Sequence, residues 1–229
     1  MATALAAFSP TGSARAAYSR YSRHDPRAPD AAGREDTVSL AELLVTPLGW
    51  MLRAKRSDPA RSVAFAAELS AEGSLELSSS SFAEGAPIPK TYSGIPRGRN
   101  TSPALSWRGI PAGARSLLLI IEDVDVPFAR PLIHTIALLE PGESDSGELA
   151  EGAMTPGNLA VHYVPAFRGW LGYQGPRPFP GHGVHHYGFH LYALDIELDA
   201  HAFADLDALL PHVAGHVLAS GVLVGTQCA

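Results

Sequence analysis

Four of the ten histidines, His182, His185, His186 and His190, fall within nine residues of one another. Histidine is the side chain whose charge is most easily set near neutral pH, so such a cluster can bind anions, move protons or ligate a metal. The cluster opens in a loop broken by Gly175, Pro176, Pro178, Pro180, Gly181 and Gly183, and from Val184 it continues as an aromatic, strand-like run. Strand alternation turns His186, Gly188 and His190 to one face and His185, Tyr187 and Phe189 to the other. The four imidazoles therefore cannot all meet at one point.

A second candidate is EDVDVP at 122–127, at the end of the apolar run LLLII. Asp123 and Asp125 are two apart and share a face if the strand continues, and Pro127 forces a turn. Two carboxylates there can bind a cation, orient a histidine or share a proton; Asp and Pro are also ordinary turn residues. Asp123, Asp125, His134 and His185 together are a possible ligand set for a metal-dependent or acid-base hydrolase, since zinc takes about four such ligands. Other signatures of that kind are missing. HExxH and a cysteine cluster are absent, GxSxG is absent, and no GK[ST] is present. Gly181-His182-Gly183 is followed by His186 where a dinucleotide-binding fingerprint needs its third glycine.

The elements that must position these residues read as short strands between turn signals. Strands are expected at Leu75 onward, at 115–123 as a run buried on both faces, at 132–139 with His134 inside it, at 161–164, and from Val184. His190 reads as a hydrogen-bonded core histidine, while His182 and His162 read as loop residues. Residues 140–158 form a turn-rich loop. The fold class expected is all-β and sandwich-like, with peripheral helices at 39–56 and 205–220. In the first, Leu40, Leu43, Leu44, Leu48 and Met51 make an apolar stripe that should pack on the domain, with Pro47 kinking or splitting the helix. In the second, Leu206, Leu209, Leu210, Val213 and Val217 form the stripe, Asp205 is the N-cap, Pro211 starts a second short helix and Gly221 is the stop signal.

Residues 1–37 carry no apolar periodicity and are expected to be a disordered arm; their arginines also suit an organellar transit peptide, with the plain solvated arm preferred. An amphipathic helix at 38–57, a linker at 58–74 and one domain at 75–229 complete the expected organisation. Residues 1–57 hold eight Lys/Arg against five Asp/Glu, leaving nine against eighteen for the rest of a chain of net charge −6. So acidic a domain excludes a nucleic-acid partner. The scattered cations of the arm fall short of the ~4–8 clustered ones that firm membrane anchoring needs. Cys228 is the single cysteine, which excludes an internal disulfide and points to a reducing, cytoplasmic setting.

Three blocks, GRNTSPALSW (98–107), LLIIEDVDVP with PLIHTIAL downstream, and YQGPRPFPGHGVHHYGFHLYAL (173–194), resemble the phosphatidylethanolamine-binding proteins, specifically their bacterial and fungal Raf-kinase-inhibitor-like branch. The resemblance implies site residues at Asp123, Asp125, Pro127, His134, His185 and Tyr187. Val124 stands where the family has proline, Thr135 where a tryptophan follows the histidine, and His186 where an arginine precedes the tyrosine. It also implies a small phosphate-containing or zwitterionic ligand, a regulatory or inhibitory role toward a kinase or protease, and no cofactor. In such a pocket His134, His185 and Tyr187 would donate to the anion while an ammonium approached Asp123 or Asp125. Asp123 is expected to orient His185 or Tyr187, and the Val126–Pro127 bond is a candidate for the cis form.

Overall fold

The computed structural model describes residues 40–229, with side chains from Leu44 onward; the arm expected at 1–37 lies outside the described residues. The apolar run after Arg115 becomes β4 (Ser116–Asp123), in which every residue is buried. It pairs antiparallel with β5 (Leu132–Leu139) and with β8 (Val184–Leu194). β7 (Val161–Val164) pairs with β5, and β9 (Val217–Cys228) pairs with β8. A short β1 (Gly73–Ser74) adds in parallel to β9, giving a six-stranded sheet in the order β1-β9-β8-β4-β5-β7. A smaller antiparallel sheet is ordered β2 (Glu76–Ser78), β3 (Leu105–Arg108) and β6 (Ser146–Leu149).

Period-two alternation divides the core between the two faces of the large sheet. Leu117, Leu119 and Ile121 of β4, with Phe189 and Leu191 of β8, pack toward Leu77, Leu105 and Trp107 of the small sheet. Leu118 and Ile120 face the other way, onto Val63, Leu69, Phe203 and the helix α2 (Leu206–Val213). Each fully buried aliphatic side chain of these strands contributes about 1.5–3 kcal/mol of burial free energy. The all-β class with peripheral helices is the architecture observed.

Four expectations need correction. Residues 58–74 are not a free linker: three 3-10 turns at Pro59–Arg61, Val63–Phe65 and Ala67–Leu69 bury Val63 and Leu69 in the second core. The 140–158 loop contains β6, whose SGEL sequence has one buried apolar residue and so no readable alternation. Beyond α2, Val217–Ser220 belongs to β9 and not to a helix, because Gly215 at φ +82° ends the helical run and the long β8 edge takes the chain as a strand. Pro211 lies inside α2.

The fourth correction concerns α1 (Leu40–Leu52), which runs through Pro47 without a break. Its apolar stripe does not pack on the domain: Leu44, Leu48 and Met51 are 76%, 48% and 82% exposed. The face applied to the protein is its narrow one. A Cβ on Gly49 would lie 1.9 Å from the Pro180 carbonyl oxygen, so only glycine lets the helix backbone come this close to the 180–182 loop. The Val126–Pro127 peptide is trans; Ile95–Pro96 is the cis bond among the described residues.

Candidate functional site

Asp123 ends β4 and lies opposite Tyr187 of β8. Its Oδ2 is 2.8 Å from Nδ1 of His185, so Asp123 orients that ring, and its Oδ1 accepts from the Asp125 N–H at 2.9 Å. His185 and Tyr187 are stacked two residues apart on one face of β8, at 6.4 Å between ring centroids. The Tyr187 hydroxyl is fully buried beside the Asp123 carboxylate and makes no hydrogen bond of full geometry. Burial first, then the Asp123 charge and the hydroxyl's approach to that carboxylate, raise its pKa well above the ordinary tyrosine value, which keeps it a donor at any physiological pH.

His134 reaches the same place through an irregularity. Ile121 pairs with Thr135 but Glu122 with Ile133, so His134 is the extra residue of a β-bulge. A bulge breaks the alternation and re-aims a side chain. As a result His134 and its neighbour Thr135 both turn to the 172–174 segment. His134 Nδ1–H donates to the Gln174 carbonyl at 2.8 Å, the Thr135 hydroxyl donates to the Gly172 carbonyl, and the imidazole meets Tyr187 edge-on at 5.4 Å. The proton on Nδ1 makes Nε2 a lone-pair acceptor, and that atom is buried without a partner. Burial lowers the His134 pKa, the charges of His185 and Arg177 lower it further, and the Asp123 charge and the Gln174 bond only partly offset this.

Asp125 does not share a histidine with Asp123. The strand ends between them, and Asp125 Oδ2 accepts from both the backbone N–H and Nδ1 of His186, each at 2.7 Å. Burial would raise the pKa of Asp125, but the hydrogen bonds and charge of His186 outweigh it and hold the carboxyl below its ordinary value. Pro127 is half-buried just beyond. The sequence-derived set is thus brought together as Asp123, His134, His185 and Tyr187, with Asp125 and His186 as a separate pair beside them. His190 pairs with Glu122 on the opposite face of the sheet, Nε2 to Oε1 3.0 Å, in keeping with a core histidine.

Two residues at the heart of the site were not expected there. His182, read as a loop residue, is fully buried, with Nδ1 2.8 Å from Nε2 of His185. Its own Nε2 lies 2.9 and 3.0 Å from the carbonyls of Leu52 and Lys55, and so must carry a proton. Nδ1 of the neutral ring is then an acceptor, as the Arg56 Nη1–H directed at it from 2.6 Å also requires. The proton between the two imidazoles is then assigned to His185, whose Nε2 donates to His182 and whose Nδ1 donates to Asp123. Burial, Arg56 and His185 all lower the His182 pKa, which keeps that ring neutral. Arg56 is the second unexpected residue: it also donates to the Asp125 carbonyl at 3.0 Å and sets Nε 3.5 Å from Oδ1 of that residue. The charges of Arg97 and Arg177 act on Tyr187 and His134 respectively, each as the smallest of several influences.

Asn100 is part of the scaffold. Its Nδ2 donates to the Tyr173 carbonyl and its Oδ1 accepts from the Gly175 N–H, which fixes the segment carrying Gln174. Among the described residues no group of three His, Cys, Asp or Glu side chains is placed to hold a metal ion, and no helix is long and apolar enough to cross a membrane.

Comparison with known proteins gives a consistent result. A UPF0098 protein of Methanothermobacter thermautotrophicus is 38% identical over 153 residues, covering 66% of this chain and 97% of that protein. A UPF0098 protein of Chlamydia muridarum is 40% identical over 157 residues, with the same two coverages. Among solved structures, a putative phosphatidylethanolamine-binding protein homologue of Chlamydia trachomatis superposes with a TM-score of 0.57 at 35% identity, over 68% of this chain and 98% of that one. Escherichia coli YbcL, at 21% identity and TM-score 0.59 over 68% and 98% of the two chains, shares the fold. The family pattern described as "Phosphatidylethanolamine-binding protein" matches residues 78–228, which hold both sheets except β1 and most of β2 and include the Asp123, His134, His185 and Tyr187 cluster, and the chain belongs to that family.

Proposed function

We propose that this protein binds a small phosphate-containing or zwitterionic ligand, such as a phosphoethanolamine-like headgroup, in the space lined by Asp123, His134, His185 and Tyr187, with Asp125 and Pro127 at its rim. The observation that carries the reading is that, within one cluster, His134 Nε2 is buried without a partner and the buried Tyr187 hydroxyl, beside Asp123, has no hydrogen bond of full geometry. Buried polar groups are normally paired, and each one left alone costs about 1–3 kcal/mol. A phosphate would satisfy both. Tyr187 donates to one oxygen, His134 Nε2 accepts from a protonated one, and His185 donates to a third once its Nε2–H is released from His182. The Asp123 carboxylate orients His185 for this contact. An inhibitory contact with a kinase or protease belongs to the same proposal and draws on the family resemblance alone.

Isothermal titration of phosphate and of O-phosphorylethanolamine into metal-stripped protein tests the reading, repeated with zinc-loaded protein and with His185→Ala. Binding without metal that disappears in the variant supports the pocket. Binding or hydrolysis seen only with zinc would replace it by the hydrolase alternative.

A further inference from the structure

We propose that residues 40–57 form a built-in strap that closes this pocket, and that Arg56 occupies the place a ligand's cationic group would take. The inference rests on the binding reading above and adds its regulation. Asp123, His134, His185 and Tyr187 are all buried, none more than 3% exposed, so no ligand reaches them unless part of the protein moves.

Over the His185 and Asp125 side stand the strap and the 181–183 loop it holds down, while the 172–174 segment lies against His134. The carbonyls of Leu52 and Lys55 fix Nε2 of His182, whose other nitrogen caps His185. Arg56 lies between His182 and Asp125, and the Ser57 hydroxyl donates to the Val124 carbonyl at 2.5 Å. The anion-binding proton of His185 and the carboxylate side of the pocket are therefore both engaged by the chain itself. An ammonium ligand approaching Asp125 competes with a tethered guanidinium.

The strap is also the part best able to leave. It lies outside the 78–228 family match. From residue 44 to 52 only Gly49 is buried, and the apolar side chains of Leu44, Trp50 and Met51 are mostly exposed. Few buried apolar contacts mean a low cost of local opening. His182 sits between Gly181 and Gly183, at φ +80° and +101°, so the loop that must swing has glycines on both sides to absorb the change. With the strap gone His182 loses three of its partners, and a turn of this loop frees Nε2 of His185.

The test uses the full chain with Gly49→Leu, a substitution outside the pocket whose side chain cannot fit 1.9 Å from the Pro180 oxygen. Diethyl pyrocarbonate labelling of each histidine, mapped by mass spectrometry, reads closure without any ligand. The exposed His201 serves as the reference and the buried His190 as the check that the sheet is intact. Labelling of His182 and His185 is expected to rise about tenfold or more in the variant, the change that ~1.4 kcal/mol of closing free energy represents. Unchanged labelling of both in the intact variant overturns the strap. If labelling rises while neither form binds phosphate or O-phosphorylethanolamine, the strap stands and the binding reading fails. Arg56→Gln gives an independent reading: it is expected to tighten O-phosphorylethanolamine about tenfold and phosphate by less, whereas weaker binding of both would make Arg56 a ligand contact and overturn its role as internal occupant.

Discussion

Replacing Tyr187 by phenylalanine should make the empty protein more stable and its ligand binding weaker. The hydroxyl is fully buried beside the Asp123 carboxylate without a hydrogen bond of full geometry. Leaving such a group desolvated costs about 1–3 kcal/mol, and removing one oxygen opens a void smaller than a methyl group, which returns less than about 1 kcal/mol of that. The net gain is about 1–2 kcal/mol. For a chain of this size each kcal/mol moves Tm by about 2–4 °C, so a rise of about 2–8 °C is expected in thermal unfolding followed by circular dichroism. Loss of a hydrogen bond to a charged ligand costs about 1.5–3 kcal/mol, or roughly ten- to 150-fold in phosphate affinity by calorimetry. Tyr192→Phe is the internal control: on the other face of the same strand its hydroxyl donates to the Val63 carbonyl at 3.3 Å, so this variant should lose about 0.5–1.5 kcal/mol. A lower Tm for Tyr187→Phe, or unchanged phosphate binding, refutes the argument that this hydroxyl is held unpaired for a ligand.

Two further outcomes follow from the same contacts. Glu122, fully buried, accepts from the Ser62 hydroxyl, the Val63 N–H and His190, so Glu122→Ala strands three donors and should cost about 3–5 kcal/mol in urea unfolding, with Glu122→Gln costing clearly less; equal, small losses would contradict this. Burial holds the pKa of His134 below the ordinary 6.5. Below that pH the unfolded chain takes up a proton that the folded chain refuses, so this contribution is complete above about pH 6.5 and is lost as the pH falls. His134→Gln should therefore lose less Tm than the parent between pH 8 and pH 5.5, and parallel losses would exclude His134 as a source of acid sensitivity.

The parts of the fold legible in the sequence are those where one physical signal dominates. LLLII can only be a strand buried on both faces, and the alternation after Val184 separates His185 and Tyr187 from His190 as observed. Where two signals compete the sequence misleads. The stripe of α1 looks core-facing, yet Gly49 lets the opposite, narrow face approach the 180–182 loop while Leu44 and Met51 face outward. Val217 continues the helical spacing of Leu206–Val213 but follows a positive-φ glycine, and the chain joins the sheet instead. In the site, alternation puts His185 and Tyr187 on one face, the resemblance is what names them with Asp123, and the register of β4 on β8 brings the three together. His134 depends on a bulge that no residue type announces, and Arg56 meets His182 across 126 positions of chain. The one available hint was the pair of glycines around His182, which mark a loop built to place that ring.

Glu122 and Asp123 show why one face of the sheet is scaffold and the other can bind. The two carboxylates are consecutive on β4, each pairs with a histidine of β8, and each is buried. Their chemistry differs because their surroundings do. Around Glu122 the Ser62 hydroxyl, the Val63 amide and His190 are all consumed by the carboxylate, and a filled set of partners has nothing to offer a ligand. Around Asp123 the pairing stops short: His134 keeps an unused nitrogen, the Tyr187 hydroxyl has no hydrogen bond of full geometry, and Nε2 of His185 is satisfied only by a neighbouring imidazole that the strap holds in place. Burying unpaired polar groups lowers stability, so the face that carries them is the one whose residues are arranged for something other than the fold. The bulge at His134 is what adds the last of those atoms, since without it the ring would turn to the Glu122 face and the pocket would lose its acceptor.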